Sequence, residues 1–216
     1  MAPVRRRMRG DEAKLGRREA ILDVARALGA AQPFEAVTMH DVARKAGLAK
    51  GTLYLYFATK EELFLGLVER ELWAWFDALD ARLETAPKDA EWLARHLASS
   101  VSERPLLTRL LAVLHALIER NIDARAARRF KTELGARLER TGARLDELAG
   151  WGRRGAELLL TLHALIVGLR QMADPPPVIA HVLKSPALAP LRVDFDRALG
   201  HALTSLARGY TPRRHP

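Results

Sequence analysis

A chain of 216 residues with 49% hydrophobic and 28% charged residues has the composition of one or two ordinary compact domains, and it excludes disordered, collagen-like and low-complexity proteins. Having no Cys excludes disulfide scaffolds, thiol nucleophiles, iron–sulfur clusters and Cys-based zinc sites. The net charge of +9 favours a polyanionic partner, because basic groups release counterions from phosphates.

In chain order, residues 1–16 read as a basic flexible arm, a solvated tail that could also track a DNA groove. No apolar core follows Met1 to Arg9, so a secretory signal is not expected. From about residue 17 onward, Ala and Leu dominate and apolar residues recur at three-to-four spacing, which predicts an all-α protein without strands. A first helix is expected from Arg17 to about Ala31, ended by Gln32-Pro33. Thr38 with Asp41 three residues on looks like an N-cap for a short helix that stops near Gly47. A second short helix should cover about 49–56. Thr59-Lys60-Glu61-Glu62 forms a better capping box for a long helix reaching Leu83. Further helices are expected at roughly 88–103, 106–120, 123–149, 154–172 and 193–208, the last closed by Gly209 with Pro212 beyond it. A short extra helix is expected near 178–183. The longest apolar stretch, Leu158 to Leu169, is interrupted by Thr161 and His163 and falls short of the roughly 20 residues that span a bilayer. No membrane partner and a soluble, cytoplasmic chain are therefore expected.

Residues 38–57, TMHDVARKAGLAKGTLYLYF, have the layout of a helix-turn-helix. Ala43 is small where the helices would cross, Gly47 suits the turn, and Val42, Leu48, Leu53 and Phe57 are apolar anchors. Lys50, Gly51, Thr52, Tyr54 and Tyr56 are then outward. Lys50 can donate to a base or phosphate, Thr52 can meet a thymine or an oxygen, Gly51 lets backbone approach closely, and the Tyr54 hydroxyl can hold a phosphate. Lys60 would reinforce an anion site at the N-terminus of the long helix.

This segment, above all VTMHDVARKAGLAKGTLYLYFATKEELF at 37–64, resembles the N-terminal DNA-binding domain of the TetR family of bacterial transcriptional regulators. The resemblance implies an N-terminal three-helix helix-turn-helix domain at 17–62 and a larger helical effector-binding and dimerisation domain at 63–216. It also implies a homodimer on double-stranded operator DNA, usually a repressor released when a small molecule binds. By position, Thr38, His40, Lys50, Gly51, Thr52, Tyr54, Tyr56 and Lys60 become the DNA-binding candidates. Activation instead of repression stays open, and a helical enzyme or a basic membrane-surface protein are the distant alternatives.

The remaining chain is less specific. Trp73, Phe76, Trp92, Leu110, Leu114, Phe130 and Leu162 offer pocket walls, and His96, His115, Glu119, His163 and Gln171 offer polar contacts. An apolar or aromatic effector follows from that composition. The apolar helix around Leu158, Leu162, Leu165, Ile166 and Leu169, with Leu199, Leu203 and Leu206 of the last helix, suggests a four-helix dimer interface. His115 and Glu119, four apart, are too few for a metal site, and no metal or cofactor is expected. No Gly-rich phosphate loop, Gly-x-Ser-x-Gly elbow or His-Glu-x-x-His motif occurs, so no catalytic machinery is visible.

Overall fold

Capping chemistry sets the helix starts. Thr38 is extended and its Oγ1 accepts from the Asp41 N–H at 3.1 Å, opening a helix over Met39–Lys45. Thr59 does the same for Glu62, whose carboxylate reaches back to the Ala58 N–H, and opens Lys60–Leu83. Asp89 and Asp123 cap Ala90–Ser102 and Ala124–Ala149 in the same way. The structure, a computed structural model, describes residues 2–210 and the side chains of 12–210. Among the described residues there are ten α-helices and no strand: α1 Ala2–Ala31, α2 Met39–Lys45, α3 Lys50–Tyr54, α4 Lys60–Leu83, α5 Ala90–Ser102, α6 Pro105–Val113, α7 Ala124–Ala149, α8 Gly155–Ala173, α9 Pro177–Val182 and α10 Phe195–Tyr210.

Two boundaries differ most from expectation. The basic segment expected as a separate arm is the start of α1, which runs back to Ala2 rather than to Arg17. Ala, Arg, Met, Glu, Lys and Leu are all good helix formers, and Pro3 lies in the first turn, where its missing N–H costs little. Groove contact by the arm would rest on side chains before residue 12, outside the described ones. The helix expected over 106–120 is α only to Val113, after which Leu114–Ile118 widens into a π turn and Glu119–Asn121 tightens into 3-10 geometry. Such π turns are uncommon and often accompany sites. The short 178–183 helix is present as α9, and Pro212 lies outside the described residues.

The helices α1 to α3 enclose a core of Ile21, Leu22, Ala25, Val37, Val42 and Leu53, closed by Phe57 and by Leu63 and Leu67 of α4. Full burial of each such side chain is worth about 1.5–3 kcal/mol before the entropy of ordering it. Gly47, with φ of +65°, makes the α2–α3 turn in a conformation that favours glycine. Arg70 and Glu71 of α4 tie back to α1 through Arg70–Asp23 at 2.8 Å and Arg26–Glu71 at 3.0 Å. Further along, α4 packs against α5, α6 and α7, so one rigid helix belongs to both halves.

In the larger half, α7 and α8 cross very closely. A Cβ on Gly142 would lie 2.5 Å from the Ala156 nitrogen, so only glycine fits there. The α8 start is capped from α7, because Asp146 Oδ1 accepts from both Arg154 and Gly155 N–H at 2.9 Å. At 19 residues α8 is also long and apolar enough, by length and composition, to cross a membrane, unlike the shorter stretch read from the sequence. Here it packs along α6, α7 and α10.

Candidate nucleic-acid interface and interior cavity

The recognition element α3 is five residues long and held from beneath by buried Leu53 and Phe57. Its outer side presents Lys50 and Gly51, with Tyr54 exposed and the Lys50 ammonium 5.9 Å from the Tyr54 ring centre. A Cβ on Gly51 would meet nothing within 4 Å. Among the described residues nothing therefore requires glycine there, although glycine weakens a helix by up to about 1 kcal/mol relative to alanine. His40 is exposed at the start of α2, while Thr52 and Tyr56 are half-buried.

Two of the eight sequence candidates are already engaged within the chain. The Thr38 hydroxyl caps α2 and meets the Asp41 carboxylate at 2.6 Å. That bond, helped by Arg44 nearby, holds the Asp41 carboxyl below the usual range against the opposing effect of burial. The Lys60 ammonium donates to the Phe34 carbonyl at 3.0 Å and sits 4.1 Å from the Phe34 ring centre, turned towards the α1–α2 connection. Sequence reasoning missed Leu55, at 78% the most exposed large apolar side chain among the described residues. It borders a shallow cleft with Tyr56 and with Lys14, Leu15 and Arg18 of α1. The helical continuation of the basic segment could not be foreseen from charge, and it adds Lys14 to Arg18 beside the end of α3.

An interior cavity of about 290 Å³ lies among α4, α6, α7 and α8. Leu72, Trp75, Phe76, Leu111, Leu114, Leu134, Leu138, Leu162 and Ile166 make it strongly apolar, and His115, His163 and Lys131 are its polar lining. The π turn carries His115, whose Nε2 is 2.9 Å from Nε2 of His163 and whose Nδ1 is 2.9 Å from Glu119. Lys131 of α7 donates to the same carboxylate at 2.6 Å. Burial, reinforced by His115 and Lys131, pushes the His163 pKa down to about 4. Burial pushes Glu119 up, but hydrogen bonds from Lys131 and His115 outweigh it and hold the carboxyl below its usual range.

The cavity gathers Phe76, Leu114, His115 and His163 from the ligand candidates, with Leu162 beside them. It does not include the others. Phe130 is fully buried core, and Trp73 packs on Phe130 and Phe76 beneath the Arg137 guanidinium, which bridges α7 to Asp77 of α4. Trp92 and His96 stack on each other at 4.9 Å along α5, under Arg82, outside the cavity. Leu110 and Gln171 line a different cleft of about 460 Å³, between Pro33–Phe34 and α6 with the end of α8. Across it Arg109 donates to the Ala30 carbonyl at 3.1 Å.

The dimer candidates need the larger correction. Leu158, Leu162, Ile166, Leu199 and Leu203 are at most 2% exposed and serve the chain's own core, while Leu165, Leu169 and Leu206 are half-buried. An apolar helix has no polar face to reveal which side turns inward, so periodicity placed those five buried residues on the wrong side. The free stripe of α8 is Leu160, Ala164, Gly168 and Met172, spaced four apart. Beside it α10 leaves His201, Ser205 and Arg208 exposed.

Residues 69–214 match the family described as tetracyclin repressor-like, C-terminal domain, and residues 21–67 match bacterial regulatory proteins of the tetR family. The chain belongs to the TetR family. The two matched regions meet inside α4, in keeping with a TetR protein whose halves share that helix. The transcriptional repressor KstR of Mycolicibacterium smegmatis is 34% identical over 106 residues, 46% of this chain and 50% of KstR. YfiR of Bacillus subtilis, an HTH-type transcriptional regulator, is 35% identical over 80 residues, 37% of this chain and 36% of its own. The chain thus spans about half the length of the curated relatives it matches. Among solved structures, the fatty acid degradation regulator FadR of Bacillus halodurans has a TM-score of 0.55 at 19% identity, covering 93% of this chain and 97% of FadR. Bacillus subtilis FadR in complex with stearoyl-CoA has a TM-score of 0.50 at 19% identity, covering 88% of this chain and 96% of that one. At those identities the likeness establishes the all-helical TetR fold.

Proposed function

We propose that this chain is a ligand-responsive transcriptional repressor that binds a near-palindromic operator as a homodimer and releases it when a small apolar molecule fills the cavity. Gly51 carries the reading: it faces open space on an exposed recognition helix where the chain itself has no use for glycine. A DNA sugar–phosphate backbone passing close to α3 gives it one. Lys50, Tyr54 and His40 then reach bases and phosphates, Thr52 and Tyr56 pack at the edge, and Leu55 lies against a sugar or a thymine methyl. Thr38 and Lys60 act from behind by holding the starts of α2 and α4.

Two recognition helices on one face of B-DNA need a spacing of about 34–36 Å, which a symmetric dimer supplies. The free stripe of α8, with small Ala164 and Gly168 at its centre, and the outer face of α10 are the surfaces proposed to meet their symmetry mates. Repression, the sign of regulation by KstR, is proposed for this chain as well.

The test is selection of bound sequences from random duplex DNA by the purified chain, repeated over a range of salt concentrations. Enrichment of a near-palindrome, weakened by Lys50→Ala and Tyr54→Phe, supports the reading. Recovery of unselected DNA with a steep salt dependence would reduce the chain to a nonspecific basic protein.

A further inference from the structure

The polar end of the cavity is unusual in composition. Every polar side chain lining it, His115, His163 and Lys131, is basic, and the nearby carboxylate of Glu119 is held by two of them. The other walls, from Leu72 and Trp75 of α4 to Leu134 and Leu138 of α7, are apolar. An apolar molecule with a polar end thus meets nitrogen at the one place where polar contact is available.

The hydrogen-bond order narrows the class further. A proton must lie between the two Nε2 atoms, 2.9 Å apart. With Glu119 accepting from Nδ1 of His115, a neutral His115 presents a bare Nε2, and His163 donates to it. His163 Nδ1 is then an unprotonated acceptor, and among the described residues it has no hydrogen-bond partner. A proton added there breaks none of the bonds along His163–His115–Glu119–Lys131. The same chain that keeps His163 neutral when the cavity is empty can therefore accommodate an imidazolium once an anion stands beside it.

We propose that the effector is an apolar acid, its hydrocarbon or aromatic body in the cavity and its carboxyl group at His163, and that binding takes up one proton at Nδ1 of that residue. The proton comes from the acid itself or, where the acid arrives as its anion, from solvent. Lys131 from α7 and Glu119 and His115 from the π turn are the other charged or titratable groups facing this point, and α4 contributes apolar side chains. The inference rests on the cavity being the effector site proposed above.

The measurement uses the full chain without DNA, so its failure is separable from a failure to bind an operator. Decanoic acid is compared with 1-decanol, and 2-naphthoic acid with 2-naphthylmethanol, by titration calorimetry at pH 6.5, 7.5 and 8.5 in buffers of different ionisation heats. In at least one pair the acid should bind 10-fold or more tighter than its alcohol at pH 6.5, with proton uptake and an advantage that shrinks as pH rises. His163→Leu should remove the difference between acid and alcohol, and His115→Gln, at a half-exposed position, should diminish it if the first variant folds poorly. Alcohols binding as tightly as acids, or no binding by any of the four probes, overturns the proposal. An acid preference that is independent of pH and survives both variants also overturns it, and assigns the head group to Lys131.

Discussion

At the scale of single residues, Gly51 separates stability from recognition. Gly51→Ala should stabilise the fold by up to about 1 kcal/mol, because alanine is the better helix former and its methyl enters open space. The same methyl should weaken operator binding 10-fold or more. Chemical melts paired with a DNA titration check both, and unchanged affinity would remove the close-approach argument. His163 supplies a pH signature. Its folded pKa, about 4, lies below the ordinary 6.5, so between those values the unfolded chain binds more protons. Stability should therefore fall as pH drops from about 6.5 towards 4, by at most about 3 kcal/mol from this residue. His163→Gln should flatten that slope in melts followed across the window.

At the scale of elements, the sequence was most readable where local chemistry decides. Thr38, Thr59 and Gly47 act through neighbours a few positions away, so the starts of α2 and α4 and the turn between α2 and α3 were visible in the residues. What needed the structure was side-to-side choice. Leu158 and Leu160 are both leucines on one apolar helix, yet one is buried and the other 56% exposed, because α6, α7 and α10 occupy one flank only. The π turn that brings His115 to His163 likewise depends on packing, since its sequence, LHALI, reads as ordinary helix. The α7–α8 junction gives an element-scale prediction. Asp146→Ala, by uncapping α8, should cost about 1 kcal/mol. Gly142→Ala, by forcing a methyl against the Ala156 backbone, should cost about 1–3 kcal/mol. The two sites share one crossing, so the double variant should depart from additivity in urea unfolding.

At the scale of the whole molecule, coupling between cavity and recognition helices has few routes. α4 runs through both halves, and Arg109 of α6 holds the Ala30 carbonyl at the end of α1 across the 460 Å³ cleft. If effector binding acts through α6, Arg109→Ala should leave operator affinity and acid affinity each within a few-fold of the parent. It should reduce the loss of DNA affinity caused by the acid by about 1 kcal/mol, or several-fold. Measuring the four corners of that cycle decides it, and an unchanged coupling would assign the whole effect to α4. For the dimer, Ala164→Glu places a charge in the centre of the free α8 stripe. Sedimentation should then show monomers with helicity retained, whereas an unchanged dimer would move the interface elsewhere.

The clamp at the start of α8 also has a mechanical meaning. Asp146 and the glycine crossing fix that end of the helix to α7, and at the far end of its roughly 28 Å Arg170 ties it to α6 and α10, donating to Thr108 at 3.1 Å and lying 4.1 Å from the Phe195 ring centre. An occupant pressing on α8 near His163 and Ile166 would therefore load the Arg170 contacts, because the clamped end cannot slide. That far end carries Arg170, Gln171 and Asp174, which form one wall of the cleft facing Phe34 and the close of α1. A small expansion inside the cavity would thus reach the cleft at the close of α1 through the contacts of Arg170, with the opposite end of the helix fixed where it is least able to slide.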